Sequence, residues 1–401
     1  MNSIRVETVI VAAPRAVYTC WTYANMISHW LCNRAMINAR GGSAYTLIWN
    51  DGHWVSGTIT NADPDKKLSF SWMEANSPGK TDIEITVTPE ANGTRLILEQ
   101  QGFGNSGAWE SYRDRSTERW VEMLENLKIL LETANDARHL RQPTLGLSLE
   151  TLSAERRANI GLQVSYGVSL TGVQTDGPAE RAGMQPGDTL LTLNGVEISD
   201  FPDIHRANTG KKAGETVQAV LYRGGTTRTV DLTYGAHTPS AYPETRSALE
   251  TVVSERVAAA ERELDEIFAG VPENLLAAKP AANEWSANEV LAHLIWTERW
   301  TQQALWLMHT AGIDPVWGFN NEFEIAGIIA VQAESKALLA ELKRVLNEQL
   351  LMIDKISDEV VSVKPLFALM SGWLSFIGDH LREHYDQIRE AIAHSRETLP
   401  A

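Results

Sequence analysis

The sequence predicts a multi-domain α+β chain in which two sheet-containing domains precede an all-α domain. Short runs of alternating apolar and polar residues fill the first third and end in one long helical pattern. The middle is rich in glycine and β-branched residues, and everything from Glu244 onward repeats apolar residues at helical spacing. Polar, proline-containing linkers at 138–143 and 235–243 separate the three parts. We therefore expect domains at 1–137, 143–234 and 244–397.

The first domain is predicted to be a curved antiparallel sheet that grips one long helix. A strand at Arg5–Val11 stops at Ala13-Pro14, and Pro14 suits the first turn of a helix at Arg15–Tyr23. Turn signals such as Asn92-Gly93 separate the later strands. These strands are expected at Tyr45–Trp49, Trp54–Thr60, Lys67–Trp72, Asp82–Thr88 and Thr94–Gln100. The helical period from Ser111 to Ala134 predicts the long helix.

The middle domain is predicted to be a small β-barrel-like domain with two short helices. Its strands are expected at Leu145–Leu149, Gly167–Val173, Asp188–Leu193, Thr216–Tyr222 and Thr226–Leu232. The helices are expected at Ala179–Ala182 and Phe201–Asn208.

The last domain is predicted to be an antiparallel four-helix bundle. Its apolar periodicity predicts helices at Thr245–Phe268, Ser286–Thr310, Ile325–Ile356 and Leu374–Ser395.

Composition limits the functions that we expect. The formal net charge of the 401 residues is -16, and no basic run offsets it, so we expect no nucleic-acid partner. No apolar stretch reaches about 18 residues, so no membrane span is predicted. The first residues alternate like a strand and lack the pattern of a signal peptide. With only Cys20 and Cys32 as cysteines, the sequence favours a reducing, cytoplasmic setting.

The first domain resembles the START-like helix-grip (SRPBCC) superfamily, in particular activator-of-Hsp90-ATPase-like proteins. The residues that carry the likeness include Ala13-Pro14-Arg15-Ala16-Val17-Tyr18, Arg40-Gly41-Gly42, Lys67-Leu68-Ser69-Phe70-Ser71-Trp72 and Gly93-Thr94-Arg95-Leu96. The resemblance implies an apolar cavity between sheet and helix that takes a small hydrophobic ligand. The side chains expected to line it are Trp49, Trp54, Phe70, Trp72 and Trp120, with Trp109 as a further candidate. The alternative is that these rings simply fill the core.

The middle domain resembles a PDZ domain of the type found beside bacterial proteases. The likeness rests on the segments 145–148, 177–184, 186–188 and 193–195. It implies that the C-terminus of a partner protein adds as a strand to a sheet edge, with its carboxylate held by a glycine loop. The residues expected to bind the peptide are Leu145, Gly146, Leu147 and Ser148 of the loop and strand, and His205 of the facing helix. An exposed helix histidine is common, so His205 alone indicates little. No protease triad motif accompanies these segments.

The last domain resembles the DinB/YfiT-like metal-binding bundles. The likeness rests on Trp285-Ser286, Glu289-Val290-Leu291-Ala292-His293-Leu294 and the run 380–388. In that family three histidines hold a divalent ion, and the matching positions here are His293, His380 and His384.

The histidine spacing supports a metal site independently of the resemblance. His380 and His384 are four residues apart on a helix and therefore share a face that also carries apolar residues. Three neutral imidazoles with an open position suit zinc, nickel or iron. The alternative is a set of hydrogen-bonded core histidines. Glu298 is expected either to contact a metal-bound water or to be a solvated charge, and Asp379, Glu383 and Asp386 either to orient the imidazoles or to form a solvated face.

Two functional hypotheses follow. The first is a multi-domain binding protein that combines a ligand cavity, a peptide groove and a metal site; a role in the stress response and a homodimer are left open. The second is a metal-dependent thiol S-transferase or isomerase, as the resemblance of the last domain implies, so whether the protein is an enzyme is open at this point. An electrophile would then contact an aromatic wall, for which the candidates are Trp296, Trp300, Trp317, Phe319 and Trp373. Those rings are alternatively plain bundle core.

Overall fold

A computed structural model describes residues 3–281, 284–313, 321–332 and 334–398 of the protein. The chain divides into two compact units. The first unit joins residues 1–134 to residues 241–401, and the second unit is the segment between them, 135–240. The multi-domain α+β class predicted from the sequence is confirmed.

An antiparallel sheet of seven strands forms the first half of the first unit. Its strands are β1 (Ser3–Ile10), β2 (Arg34–Ile37), β3 (Ala44–Ile48), β4 (Trp54–Asp63), β5 (Lys67–Glu74), β6 (Thr81–Glu90) and β7 (Gly93–Gln101). Their order is β1-β7-β6-β5-β4-β3-β2, and Ile10 pairs with Thr94 at one end of the β1–β7 register. Six of these strands were predicted, whereas β2 was not, because its four residues carry too little alternation to stand out.

Three helices cover this sheet. They are α1 (Pro14–Thr22), α2 (Ala24–Ser28) and the long α3 (Gly107–Thr133). The α3 stripe with Trp120, Leu124 and Leu127 is buried, as its period predicts. Trp120 also donates a hydrogen bond of 2.9 Å from its indole nitrogen to the side chain of Gln100 on β7, which fixes α3 on the sheet.

The second unit is built around an open antiparallel sheet of six strands. The main path runs β14-β13-β11-β10-β9, with β12 paired to β11, and a separate two-stranded pair joins β8 to β15. The strands are β8 (Pro143–Thr144), β9 (Leu147–Thr151), β10 (Val168–Val173), β11 (Thr189–Leu193), β12 (Val196–Glu197), β13 (Thr216–Arg223), β14 (Thr226–Thr233) and β15 (Gly235–Ala236). The helices are α4 (Ala137–Arg141), α5 (Ala154–Asn159), α6 (Pro178–Arg181) and α7 (Phe201–Asn208). Strand β9 lies at an edge of the path, and the described strands do not close into a barrel.

A helical bundle completes the first unit. Its helices are α8 (Arg246–Phe268), α9 (Glu273–Ala277), α10 (Ala287–Ala311), α11 (Glu322–Val331), α12 (Ser335–Asp354), α13 (Asp358–Ser362) and α14 (Lys364–Thr398). The single helix predicted at Ile325–Ile356 is wrong, because α11 and α12 are separate. The prediction for the last helix began too late, since α14 starts at Lys364 and also includes the segment around Ser371 and Gly372.

The break between α11 and α12 has a tertiary cause. The Glu273 carboxylate of α9 accepts a hydrogen bond of 3.0 Å from the backbone N–H of Ser335 and another from the Ser335 hydroxyl. Glu273 therefore caps the start of α12 from a different helix, since the first N–H groups of a helix have no partner within it. No glycine or proline marks this position in the sequence.

The sheet part and the bundle of the first unit share one continuous apolar core. The backbone N–H of Asn25 at the α1–α2 corner donates to the carbonyl of Gly312, just after α10, over 2.7 Å. The side chain of Lys364, at the start of α14, donates to the carbonyl of Glu132 near the end of α3. Among the described helices, none has the length and apolar character that a bilayer crossing requires.

Candidate metal centre and peptide groove

The three predicted histidines meet inside the bundle. His293 comes from α10, and His380 and His384 come from α14. One ligand nitrogen of each ring lies within 4.8 Å of those of the other two. Because all three side chains are half-buried, they form a compact cluster of imidazoles with limited access to solvent.

Local sequence fixes the helix that carries His293. Ser286 and Glu289 form a capping box at the start of α10: the Ser286 hydroxyl accepts from the Glu289 N–H at 3.2 Å, and the Glu289 carboxylate accepts from the Ser286 N–H at 2.8 Å. The indole of Trp285 lies against the His293 ring, with a centroid separation of 5.0 Å. The start of α10 therefore holds His293 about two turns into the helix.

Side-chain amides orient two of the three rings. The Nδ1 atom of His384 lies 2.8 Å from Oε1 of Gln387, and Nδ1 of His293 lies 2.7 Å from the side-chain nitrogen of Asn321. Because the Gln387 oxygen can only accept, Nδ1 of His384 carries the proton and the lone pair of this neutral ring is on Nε2. Neither amide was predicted to contact the histidines. Asn321 lies 28 residues from His293 along the chain, whereas Gln387 lies three residues after His384, a helical spacing that could have indicated the contact.

Burial keeps two of these imidazoles neutral. It is the main cause that lowers the pKa of His293 to about 4, and the two neighbouring histidines lower it further. Burial is also the main cause of the lowered pKa of His384. The neutral ring, with a free lone pair, is the form that binds a metal ion, so the cluster has the protonation state that ligation needs near pH 7.

A buried carboxylate stands behind the third ring. Glu298 is only 2% exposed, and Nε2 of Gln349 donates to its Oε2 over 3.0 Å. Its other oxygen lies 3.8 Å from Nδ1 of His380, a buried atom without a hydrogen-bond partner in the described structure. Glu298 is therefore not a solvated charge. An unpartnered nitrogen beside a buried carboxylate, with two further neutral imidazoles nearby, fits a divalent cation.

The other acidic candidates lie on the bundle surface. Asp379 pairs with Arg256 at 3.1 Å and with Arg382. Asp386 pairs with Arg389 at 2.9 Å. Glu383 is exposed. Asp379 and Asp386 therefore belong to surface ion pairs, whereas the charge of Glu383 acts on His384 and partly offsets the lowering of its pKa by burial.

An apolar cavity of about 520 Å³ adjoins the cluster. Its lining includes Trp373, Phe376 and His380 of α14. The Trp300 ring lies 5.7 Å from that of Trp373, and Trp296 is partly buried on the same helix as Trp300. Of the predicted aromatic wall, Trp317 and Phe319 lie outside the described residues.

A second candidate site is a groove in the second unit, between edge strand β9 and helix α7. The predicted residues Leu145, Gly146, Leu147 and Ser148 all line it. Gly146 has a φ of 68°, and a Cβ there would lie 3.0 Å from the Pro178 ring, so glycine is favoured in this loop.

Helix α7 presents residues other than the predicted histidine to the groove. Phe201, Ile204 and Asn208 line it, whereas His205 is exposed and does not appear in the lining. A histidine that sequence reasoning missed, His237, lines the groove after β15 and lies against His139, with ring centroids 4.0 Å apart. Nearly a hundred residues separate these two histidines, so no local pattern reveals the pair.

The predicted tryptophan cavity is mostly filled. Phe70, Trp72 and Trp120 are buried and packed together, and the space left beside Phe70 and Trp72 is about 20 Å³, enough for about one water molecule. Trp54 is 43% exposed, and Trp49 packs against His53 with ring centroids 5.0 Å apart. Trp109 packs against Phe103 and Tyr112 at the start of α3. The structure thus brings three of the five predicted residues together.

Comparison with known families identifies three domains in one order. The model described as activator of Hsp90 ATPase homolog 1-like protein matches residues 11–132. The PDZ domain model matches residues 143–233, and the DinB superfamily model matches residues 256–388. The three resemblances stated from the sequence are confirmed.

Several curated relatives match a segment about as long as the PDZ domain. Proteins named probable periplasmic serine endoprotease DegP-like, from Pseudomonas fluorescens and Marinomonas sp., are 33% and 34% identical over 92 residues. Each alignment covers 23% of this chain, and this chain spans about a fifth of each relative, 19% and 20%. Among solved structures, the solution structure of the Aha1 dimer from Colwellia psychrerythraea is 20% identical, with a TM-score of 0.29, and covers 33% of this chain and 97% of its own.

Proposed function

We propose that this protein is a multi-domain binding protein that holds a divalent metal ion in its bundle and captures the C-termini of other proteins in its PDZ domain. The carrying observation is the convergence of three ligand nitrogens within 4.8 Å, from two helices far apart in the chain. Packing alone rarely brings three polar rings together in a bundle interior, because each must keep its hydrogen bonds. A shared cation accounts for the arrangement.

The donor set determines which ions suit the site. Imidazole ligands favour zinc, nickel and iron, and three of them leave a position for water or a ligand. His293, His380 and His384 would hold the ion, while Glu298 would polarise the His380 ring from behind.

Elemental analysis of untagged protein tests the metal proposal. We expect about one divalent ion per chain, and His384→Ala should remove most of it, because two imidazoles bind a divalent ion far more weakly than three. His394→Ala is the matched control, since His394 lies on the same helix and is exposed. Wild-type metal content in His384→Ala would exclude this site.

The groove supports the peptide part of the proposal. Strand β9 is an edge of its sheet, so an extended peptide has free backbone groups to pair with. Leu147, Leu149 and Ile204 give the groove an apolar lining that suits an apolar C-terminal side chain.

A titration with one apolar-ended peptide, as the free acid and as the amide, tests this. The free acid should bind about tenfold more tightly, since charge-assisted hydrogen bonds to the loop are lost in the amide. Gly146→Val should abolish the difference, because the side chain would meet Pro178 and strain the loop. Equal affinity of the two peptides in the wild type would contradict carboxylate capture.

A small hydrophobic ligand in the first domain is the third part of the proposal. The aromatic cluster of Phe70, Trp72 and Trp120 supports it, although entry into a space of about 20 Å³ requires these rings to move. An apolar probe should then shift the tryptophan fluorescence in a saturable way. A flat response up to the solubility limit of the probe would favour a simple core.

Thiol transfer is the second candidate function, and the apolar cavity beside His380 favours it. When bound, a metal ion lowers the pKa of a coordinated thiol and makes it nucleophilic. The bundle contains no cysteine of its own, so a soluble thiol must be supplied. Trp373 and Phe376 would hold an apolar electrophile and exclude water.

An assay that pairs a generic electrophile with several cellular thiols tests this candidate. Turnover should require both the metal and the thiol, and His380→Ala should remove it. Background rates with every thiol, in fully metallated protein, would leave only the binding function.

The proposed location is the cytoplasm, although the PDZ relatives carry periplasmic names. The support is that Cys20 and Cys32 are free and buried, and that burial raises the pKa of the Cys20 thiol. Fractionation of the native host tests the location: recovery with periplasmic markers would contradict it.

A further inference from the structure

A cleft of about 790 Å³ lies where the bundle meets the sheet part of the first unit. Helix α1 forms one wall, the segment after β2 forms another, and the end of α10 closes the third side. This space is too large to be a packing defect, because its volume falls in the range of small-molecule binding sites. It is separate from the peptide groove and from the histidine cluster, because it shares no lining residue with either.

Two arginines mark this cleft in an acidic protein. Arg15 and Arg40 are among its described lining residues, which include no aspartate or glutamate, whereas the whole chain has a formal charge of -16. Among the described carboxylates, Arg15 pairs only at long distance, 3.5 Å to the half-buried Asp65 and 3.9 Å to the exposed Glu359. Long ion pairs of this kind contribute little free energy, so the Arg15 guanidinium keeps the capacity to bind an anionic ligand. Arg40 forms no ion pair with a described carboxylate.

The other described lining residues include hydroxyl groups, the amide of Asn38 and apolar side chains. Tyr18, Thr19 and Thr22 lie along α1, near Arg15. Ile37 and Ile313 face the cleft from β2 and from the residues after α10, and Ile313 is 46% exposed. The cleft therefore combines two guanidinium groups and several hydroxyls with apolar side chains.

Ile37 also links the cleft to the interior of the sheet part. It lines the small buried space behind the sheet together with Trp21 and Phe70. An apolar chain anchored in the cleft would thus point toward the aromatic core of the first domain.

The walls of this cleft are fixed relative to one another. Asn25 and Gly312 share a backbone hydrogen bond of 2.7 Å, and Gly312 packs so closely on Tyr23 that a Cβ would lie 2.4 Å from that ring. A ligand would find the two walls already in place, which lowers the entropy cost of binding.

We propose that this cleft binds a small amphipathic organic acid, with its carboxylate at Arg15 and Arg40 and its apolar body against Ile37 and Ile313. A guanidinium binds a carboxylate through paired hydrogen bonds. Burial of a hydrocarbon chain against the two isoleucines is favourable because it removes apolar surface from water. This site goes beyond the proposed metal and peptide functions and does not depend on either. It differs from the cavity beneath the sheet because residues of the bundle complete it.

A thiol-protection experiment on the full-length protein tests the site with decanoate as the probe. Ala39→Cys places a reactive thiol in the cleft wall, while both native cysteines are fully buried. Monobromobimane, which is uncharged, reports how fast this thiol reacts. Decanoate should slow the reaction in a saturable way, and decan-1-ol should need about tenfold higher concentration for the same protection. Ala44→Cys, exposed on β3 and outside the lining, should not be protected.

Charge variants complete the test. In the Ala39→Cys background, Arg40→Gln should raise the half-protecting concentration of decanoate by about three- to tenfold and leave that of decan-1-ol unchanged. Arg34→Gln, an exposed arginine of β2 outside the lining, should change neither. The proposal is overturned if decanoate gives no protection, protects both introduced thiols equally, or acts no better than decan-1-ol. If decanoate protects the thiol equally well with and without Arg40→Gln, the Arg40 guanidinium does not bind the carboxylate.

Discussion

At the scale of single residues, the three histidines could be assigned from the sequence but their surroundings could not. The four-residue spacing of His380 and His384 predicts a shared helix face. Gln349 donates to Glu298, and Asn321 contacts His293, from other segments of the bundle, and such contacts leave no periodic trace in the sequence. His205 shows the same limit: its position on a helix was predictable, whereas the direction of its side chain depends on how α7 packs.

The lowered histidine pKa values predict acid sensitivity of the metal-free protein. The pKa of His293 is about 4 in the folded chain, against an ordinary value of 6.5, and that of His384 is also lowered. Between those values the unfolded chain binds more protons than the folded chain, so stability falls as the pH drops from about 6.5 toward 4. Thermal unfolding of chelator-treated protein, measured at about pH 7.5 and pH 5, should show this loss.

Two variants separate this cause from general acid effects. His293→Gln keeps a polar side chain near Asn321 but removes the titrating ring, so its melting temperature should depend less on pH than that of the wild type. His394→Gln changes an exposed histidine of α14 and should retain the wild-type pH dependence. If His293→Gln loses as much stability as the wild type on acidification, burial of His293 is not the source.

At the scale of elements, periodicity predicted most strands and the long helices α3, α8 and α10 to within a few residues. The first two bundle helices and α7 agree closely with their predicted ranges. The merged prediction at Ile325–Ile356 failed because Glu273, some sixty residues away, supplies the cap that starts α12. An apolar period indicates that a segment is helical, but it does not show where another helix interrupts it.

The end of α10 provides a second prediction. Gly312 has a φ of 61°, and a Cβ there would lie 2.4 Å from the ring of Tyr23. Gly312→Ala should therefore lower the free energy of unfolding by about 2–3 kcal/mol, from backbone strain together with the displaced ring. Urea denaturation monitored by tryptophan fluorescence measures this change.

Gly270 is the matched control for this change. It follows α8 with a φ of 67° but has no atom within 4 Å of its potential Cβ. Gly270→Ala should cost only about 1 kcal/mol, the backbone contribution alone. If the two substitutions lower the free energy of unfolding equally, the Tyr23 ring can move aside without loss of stability. The contact between the end of α10 and the α1–α2 corner would then be loosely packed.

At the scale of the whole molecule, the sequence predicts three successive domains, and three family models match in that order. It does not predict that the first and last segments form one compact unit with a shared core. The residues that join them, such as Asn25 and Gly312, meet through backbone groups, which any residue type carries. Linker composition shows where contacts thin out along the chain, not which distant segments associate.

This division predicts that the second unit can be removed. The backbone N–H of Ser240 donates to the side chain of Asn135 over 3.0 Å, so the two ends of the unit lie side by side. Replacing residues 136–239 by about four glycine and serine residues should leave a first unit that unfolds cooperatively and keeps its metal content. Calorimetry and elemental analysis of the shortened chain measure both properties.

The isolated segment 135–240 is the complementary protein. It should bind the free-acid peptide with the Kd of the full chain, because the described groove residues all belong to it. A shortened chain that aggregates, together with an isolated segment that does not bind, would show that the two units stabilise each other.

The adjacent ends of the second unit also determine how the molecule responds to mechanical force. Tension applied between the first and last residues of the chain enters and leaves through the first unit, since both outer segments belong to it. While the contact between those segments holds, including the hydrogen bond from Asn25 to Gly312, the load bypasses the second unit. Under stretching, the two segments of the first unit should therefore separate first, and only then should the second unit between them be placed under load. A partner bound in the groove would be shielded from the pull until that point.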